Sequence, residues 1–413
     1  MENSHHYDIH LELKPAEQRL AVEGKLTFAA AASVQSVIFY LHSQLEVGDI
    51  SGELVSGYGF QEMAAPGVFF PMARMLRVTF TRPLAPGEQT EIRFRYGGAI
   101  TQWPTWSANV VSPGWIEMGL YLPWFPLLDK EFGSFTYDLS VDCDPAYQVR
   151  SSGAPAYDGK TWRFSWDRPT NDIVVIASPD LKTVTVEAPG CRVDVHYVSL
   201  QEATAHQIGE DLLWLLARFS EWYGGPPLPV VSLVQPGRAS GGGYSRLGLV
   251  VMGGLVDQAY MEKRKQYARY LAHEAAHFWF SSAPTATWED WLNESFSEYS
   301  ALLALREKYG SDVFEEFMAI KREKALGAAP IWGFDRSGAS PDLPMGEVEA
   351  ILYHKGVVLL HTLSERVGPM KFMQVCREMV AQKTQTTAGF LALVASYADQ
   401  CGAEWMEEAL KAR

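Results

Sequence analysis

The sequence predicts an α+β protein, an antiparallel β domain followed by a mostly helical one. Three observations predict it. Up to about residue 187, short runs alternate apolar and polar residues with period two. From about Cys191 the apolar positions recur at three- and four-residue spacing instead. A chain of 413 residues is also too long for one small core. The expected division is residues 1–187 and 188–413.

The strands come first. "YDIHLELKP", "RLAVEGKLTFAA", "SVQSVIFYLH", "MLRVTFTRPL", "TEIRFRYGGAI", "FTYDLSVDCD" and "KTWRFSWDRP" are rich in Val, Ile, Phe and Tyr and are punctuated by Pro, Gly and Asp. Such spacing suits a large antiparallel sheet or a sandwich. One further strand, "CRVDVHYVS", leads into a helix over 201–222, and "PVVSLVQP" and "LGLVVM" flank a glycine-rich segment. Helices are then expected over 262–281 and 292–308, with Pro284 breaking the run between them and Gly310 stopping the second.

Composition excludes some classes. A formal charge of −14 is opposite to what nucleic-acid phosphates require. Cys143, Cys191, Cys376 and Cys401 show no paired spacing, which argues against a disulfide framework or a cysteine-ligated metal. The opening "MENSHHYDIHLELKP" has no apolar core segment, and no run is long enough to span a membrane. A cytoplasmic location is the expectation, provided the chain is complete.

The chemistry concentrates in "HEAAHFWFSSAPTATWEDWLNESFSEYSALL". Residues four apart on a helix project from one face, so His273 and His277 can reach one metal ion together. Glu274 lies beside them, one position round, where it can hold a water bound to that metal. Zinc doing chemistry needs a third protein ligand and an open fourth position, and His, His, Glu is a standard set. Glu294, at the start of the next helix, is the candidate. Cobalt or manganese would satisfy the same ligands. Glu298, four residues further on, shares the face of Glu294 and can accept the spare ring N–H of a metal-bound histidine.

These residues resemble the aminopeptidase N family of zinc metallopeptidases, in the gluzincin group. Its usual text is HExxH, eighteen residues, then the ligand glutamate inside WLNEGFA. "ILYHKGVVLLHTL" matches the family's Y-x-K-G helix, which implies that Tyr353 hydrogen-bonds the oxyanion. "YDIHLELKPAEQRLAVEGKLTF" is similar to the first strands of the family's saddle-shaped N-terminal β domain. The resemblance therefore implies a thermolysin-like catalytic domain, one zinc ion per chain and a peptide substrate.

Three departures accompany it. Only sixteen residues separate His277 from Glu294, so the loop is two shorter while "WLNE" is kept. About 60 residues follow Tyr353, so the expectation is a member without the family's large C-terminal helical domain and with a more open pocket. The substrate strand, G-A-M-E-N in the family, reads "GGYSRLGL": Gly242, Gly243 and Tyr244 precede Ser245, which replaces the amine-binding glutamate, and Arg246, which replaces the asparagine. A cation beside an ammonium group is repulsive. Glu117, twelve residues before Asp129, stands where some members place a second amine-binding carboxylate.

The expected reaction is hydrolysis of a peptide bond, aminopeptidase-type, with Glu274 as general base. The competing readings are a peptidase acting on internal or N-blocked peptides, a hydrolase of a small amide, and a catalytically silent zinc-binding scaffold.

Overall fold

The computed structural model describes residues 5–61, 72–103, 108–129, 132–225, 228–238, 242–336 and 345–413. The chain divides into two compact units. The first holds residues 1–183 together with 194–200 and 230–254; the second holds 184–193, 201–229 and 255–413. Among the described residues no helix is long and apolar enough to cross a membrane.

The first unit is built from sheets. A seven-stranded sheet runs in the order Ala156–Tyr157, Thr161–Thr170, Phe135–Asp142, His5–Lys14, Arg19–Ala29, Gln89–Ala99, Glu46–Ser51. Alternation makes it: Ile9, Leu11 and Leu13 point inward while Asp8, Glu12 and Lys14 point to solvent or the margin. A four-stranded sheet contains Val34–His42 and Ala73–Leu84. The two sheets pack face to face, with Phe39 edge-on against Phe94 at 5.5 Å and Phe28 against Phe80 at 6.2 Å. The sequence leads to the expectation of a wholly antiparallel domain, and one pair of the large sheet departs from it. His5–Lys14 and Phe135–Asp142 lie parallel, His5 opposite Phe135; no hairpin joins them, and the long stretch between them contributes three other strands to the same sheet, Arg19–Ala29, Glu46–Ser51 and Gln89–Ala99.

A second four-stranded sheet of the same unit carries Trp115–Met118 between Val110–Ser112 and Val175–Ser178. Trp115, Val174 and Ile176 share a core with Val234, Tyr244, Leu249 and Val251. The last four come from a small ladder in which 232–234 runs parallel to 249–251, and Tyr244–Arg246 runs antiparallel to it.

The second unit is helical. In chain order its helices are α1 (Glu202–Tyr223), α2 (Asp257–Glu262), α3 (Arg264–Ala276), α4 (Trp291–Tyr309), α5 (Ser311–Ala325), α6 (Met345–Glu349), α7 (Gly356–Val367), α8 (Pro369–Ala381), α9 (Thr387–Tyr397) and α10 (Gln400–Lys411). The single helix expected over 262–281 is two, broken at Lys263, and the second ends at His277, its C-cap. The cause is local. Phe278 and Trp279 close tight turns onto the carbonyls of Ala275 and Ala276, which ends the four-residue ladder. Gly310 stops α4 with φ +93, its N–H donating to the Arg306 carbonyl. Nearly every residue of α4 from Trp291 to Leu305 is buried, polar ones included, and that buried polar content marks the site. All four thiols are free.

Candidate metal centre

His273 and His277 reach the same point from the end of α3. Their Nε2 atoms are 3.2 Å apart, and Oε2 of Glu294 lies 3.3 Å from the first and 3.6 Å from the second. The edges of a tetrahedron with metal–ligand bonds of about 2.0–2.1 Å are roughly 3.3–3.4 Å long. The triangle therefore has the dimensions of three corners of a zinc site. Oε2 of Glu294 is buried and has no hydrogen-bond partner, which costs free energy unless a cation takes it. The triad is also the only such group of His, Cys, Asp and Glu side chains among the described residues.

The electrostatics favour a cation at that point. Burial opposes charge on His273, but Glu294 and Glu298 outweigh it and raise the imidazole to about 10. Burial likewise pushes Glu294 up, and the two imidazoles outweigh it and draw the carboxyl down to about 2. One carboxylate and two imidazoles that converge on a buried point favour any cation placed there, a metal ion included.

Both rings are oriented from behind. His277 Nδ1 donates to the carbonyl of Phe280 at 3.0 Å, with Ser297 Oγ at 3.1 Å. His273 Nδ1 lies 3.0 Å from Oε2 of Glu298, which is fully buried. Each Nδ1 thus keeps its proton and each Nε2 presents a lone pair to the centre. Glu298 has two further partners that the sequence did not point to: Arg269 Nη1 and Lys321 Nζ both reach its Oε1 at 2.5 Å.

The shortened loop before Glu294 is held by the asparagine of "WLNE". Asn293 accepts the N–H of Ala283 at 3.1 Å and donates to the Ala283 carbonyl at 3.0 Å and to Asp290 at 2.9 Å. Asp290 is itself buried and paired with Arg336 at 2.8 Å. The tryptophan of the same motif, Trp291, donates its indole N–H to Thr387 at 2.8 Å. Three of these residues fix the loop so that the fourth, Glu294, can aim inward.

Tyr353 sits in a single turn of π-helix, Ala350–Lys355, leading into α7. Such turns occur often at functional sites, because the widened turn re-aims the side chains it carries. Its ring lies 5.5 Å from that of His273, and its phenol feels the Glu294 charge. Burial and the Glu294 charge push the phenol well above its usual range, so it is a proton donor. Lys355, two residues on, donates to the carbonyls of Ala328, Ala329 and Ala412 at 2.7–3.1 Å and ties the turn to the segment that follows α5 and to the end of α10. Glu274 is buried beside His273.

The other residues singled out from the sequence lie in the first unit. Gly242 and Gly243 precede the strand Tyr244–Arg246, and the Gly242 carbonyl accepts from Arg238 at 2.9 Å. Arg246 is paired with the buried carboxylate of Asp172 at 2.7 Å and lies over the rings of Tyr121 and Tyr244. Its charge is therefore compensated within its own unit, which the sequence did not reveal. Glu117, on Trp115–Met118, is fully buried; Arg238 holds both its oxygens at 2.9 and 3.3 Å, and the Trp115 indole donates at 2.9 Å.

Residues 250–408 match the description "Peptidase family M1 domain". The chain is 28% identical to human endoplasmic reticulum aminopeptidase 2 over 114 residues, 26% of this chain and 12% of that protein. It is 26% identical to aminopeptidase N of Lactococcus lactis subsp. lactis over 280 residues, 60% of this chain and 32% of that protein. The matches thus span about a third or less of these relatives. Among solved structures, an M1 zinc metallopeptidase from Deinococcus radiodurans superposes with a TM-score of 0.75 at 20% identity, covering 98% of this chain and 93% of that one. A mutant from the same organism bound to a Tyr-Ser-Ala substrate gives 0.73 at 21%, covering 98% and 93%. At such identity the likeness establishes the fold.

Proposed function

We propose, from the premise that this chain carries a peptidase family M1 domain at residues 250–408, that it is a zinc-dependent metallopeptidase of aminopeptidase type. The observation that carries the reading is the triangle of His273, His277 and Glu294, with edges of 3.2, 3.3 and 3.6 Å. Zinc held there would polarise the scissile carbonyl and acidify a water molecule. Glu274 would take the proton of that water and pass it to the leaving amine. Tyr353, a neutral phenol beside Glu294, would donate to the oxyanion of the tetrahedral state. Glu298 would hold His273 in the tautomer that leaves Nε2 free.

The Deinococcus radiodurans structure with Tyr-Ser-Ala supports a short peptide as the substrate class. A second reading, cleavage of internal or N-blocked peptides, draws on the first unit. Ser245 offers no charge for an ammonium group, and the carboxylates of Glu117 and Asp172 are engaged by Arg238 and Arg246. An ammonium group there would have to displace a guanidinium from a buried pair.

The test is mass spectrometry of a peptide pool, each member present with a free and with an acetylated N-terminus. Glu274→Gln serves as the blank. Stepwise loss from free N-termini only supports the aminopeptidase reading. Internal cuts, or indifference to acetylation, support the second. Zinc bound with no turnover on any peptide would sink both and leave a binding scaffold.

A further inference from the structure

Behind the metal ligands lies a cluster that a metal site does not require. Glu298 is completely buried, and its two oxygens have divided tasks. Oε1 accepts Arg269 Nη1 and Lys321 Nζ, both at 2.5 Å. Oε2 lies 3.0 Å from His273 Nδ1 as an ion pair, and neither of these two buried atoms has a hydrogen-bond partner. Two of the three partners, His273 and Arg269, are one turn apart on α3, and Lys321 stands on α5, which also packs against α4 and the π-turn of Tyr353. Lys321 is 4% exposed, so its charge is kept inside the protein for the sake of this one carboxylate. Burying an ammonium group is expensive unless it is paired, and α5 could present an apolar residue there at lower cost.

We infer that Arg269 and Lys321 are positioning residues for the metal ligand His273: by occupying Oε1 of Glu298 they turn Oε2, and only Oε2, toward the imidazole. The inference rests on the metal reading above. A carboxylate held by one oxygen alone can rotate about its terminal torsion, which is broad. Two cations on one oxygen remove that freedom and leave a single acceptor direction for the Nδ1 proton. The ring plane of His273 then follows, and with it the direction of its Nε2 lone pair. The positive charges themselves oppose a dication nearby. Orientation and field therefore predict opposite signs, and the sign decides between them.

The experiment is a double-mutant cycle read as zinc affinity, measured by competition with a chromophoric chelator at fixed pH. Lys321→Met should weaken zinc binding on the order of tenfold in the parent protein and less than twofold in Glu298→Gln, because the lysine acts through that carboxylate. Lys321→Arg should restore most of the affinity. Arg269→Gln, at a partly exposed position, gives the same cycle if Lys321→Met does not fold. Equal losses in both backgrounds, no loss, or tighter binding overturns the inference. A parent protein that binds no zinc overturns the metal reading, and the inference falls with it.

Discussion

Gly356 lies against Ser295. A Cβ on Gly356 would collide with Ser295 Oγ and come within 2.7 Å of its Cβ, while Ser295 Oγ donates to the Leu352 carbonyl at 2.6 Å. The start of α7 thus touches α4 one residue after the ligand Glu294, and the glycine of "YHKG" is what permits the approach. Gly356→Ala should force the two helices apart and cost about 1–3 kcal/mol. Thermal unfolding measures this, and turnover should fall further than stability alone predicts, because Tyr353 rides on the same turn. An unchanged melting temperature would show that the contact relaxes freely.

Tyr353→Phe removes a phenol beside Glu294 without removing a ligand. Turnover should drop by about 10²–10³-fold, the range seen when one oxyanion donor is lost. Zinc content, read by atomic emission after dialysis, should stay at one ion per chain. Loss of zinc with the hydroxyl would mean that the tyrosine supports Glu294 and does not act on the substrate.

Arg246 and Asp172 form a buried pair, with Asp172 wholly enclosed. Burial pushes the Asp172 carboxyl up, and Arg246 pulls it back toward the charged form. Arg246→Met leaves that carboxyl without its cation and should destabilise the protein by about 3–5 kcal/mol. Adding Asp172→Asn should recover most of the loss, since no charge then remains to be compensated. Chemical denaturation of the single and double variants checks both.

His42 gives the protein a dependence on pH. Burial lowers its imidazole from 6.5 to about 4. The neutral ring is satisfied, donating to the Gln102 carbonyl at 3.1 Å and accepting the Gln44 N–H at 3.3 Å. Between those two pH values the unfolded chain binds the proton that the folded one excludes. Stability is therefore full above about pH 6.5 and falls as the pH drops to about 4, by up to roughly 3 kcal/mol. Denaturant titrations from pH 7 to 4 should show this slope, and His42→Gln should reduce it, the remainder including His354, whose imidazole burial also lowers to about 4.

How much of this was legible depended on the range of the interaction. The strands with strict alternation, such as His5–Lys14, were readable because each has one wet face. Trp115–Met118 was not, since all four of its residues are buried and no alternation exists to read. The break at Lys263 and the early end of α3 were missed because the apolar pattern runs on through both.

The sequence by itself marked His273, His277, Glu274 and Glu294: the helical period puts the two histidines on one face with Glu274 one position round, and a short loop brings Glu294 to the two histidines. It also marked Glu298 and Tyr353. Only the tertiary structure decided what stands behind them. Lys321 on Glu298, Arg246 on Asp172 and Arg238 on Glu117 join residues 23, 74 and 121 positions apart. No local pattern announces such pairs. They form because folding strips water from each carboxylate, and the nearest cation in space, wherever it lies in the chain, must replace it.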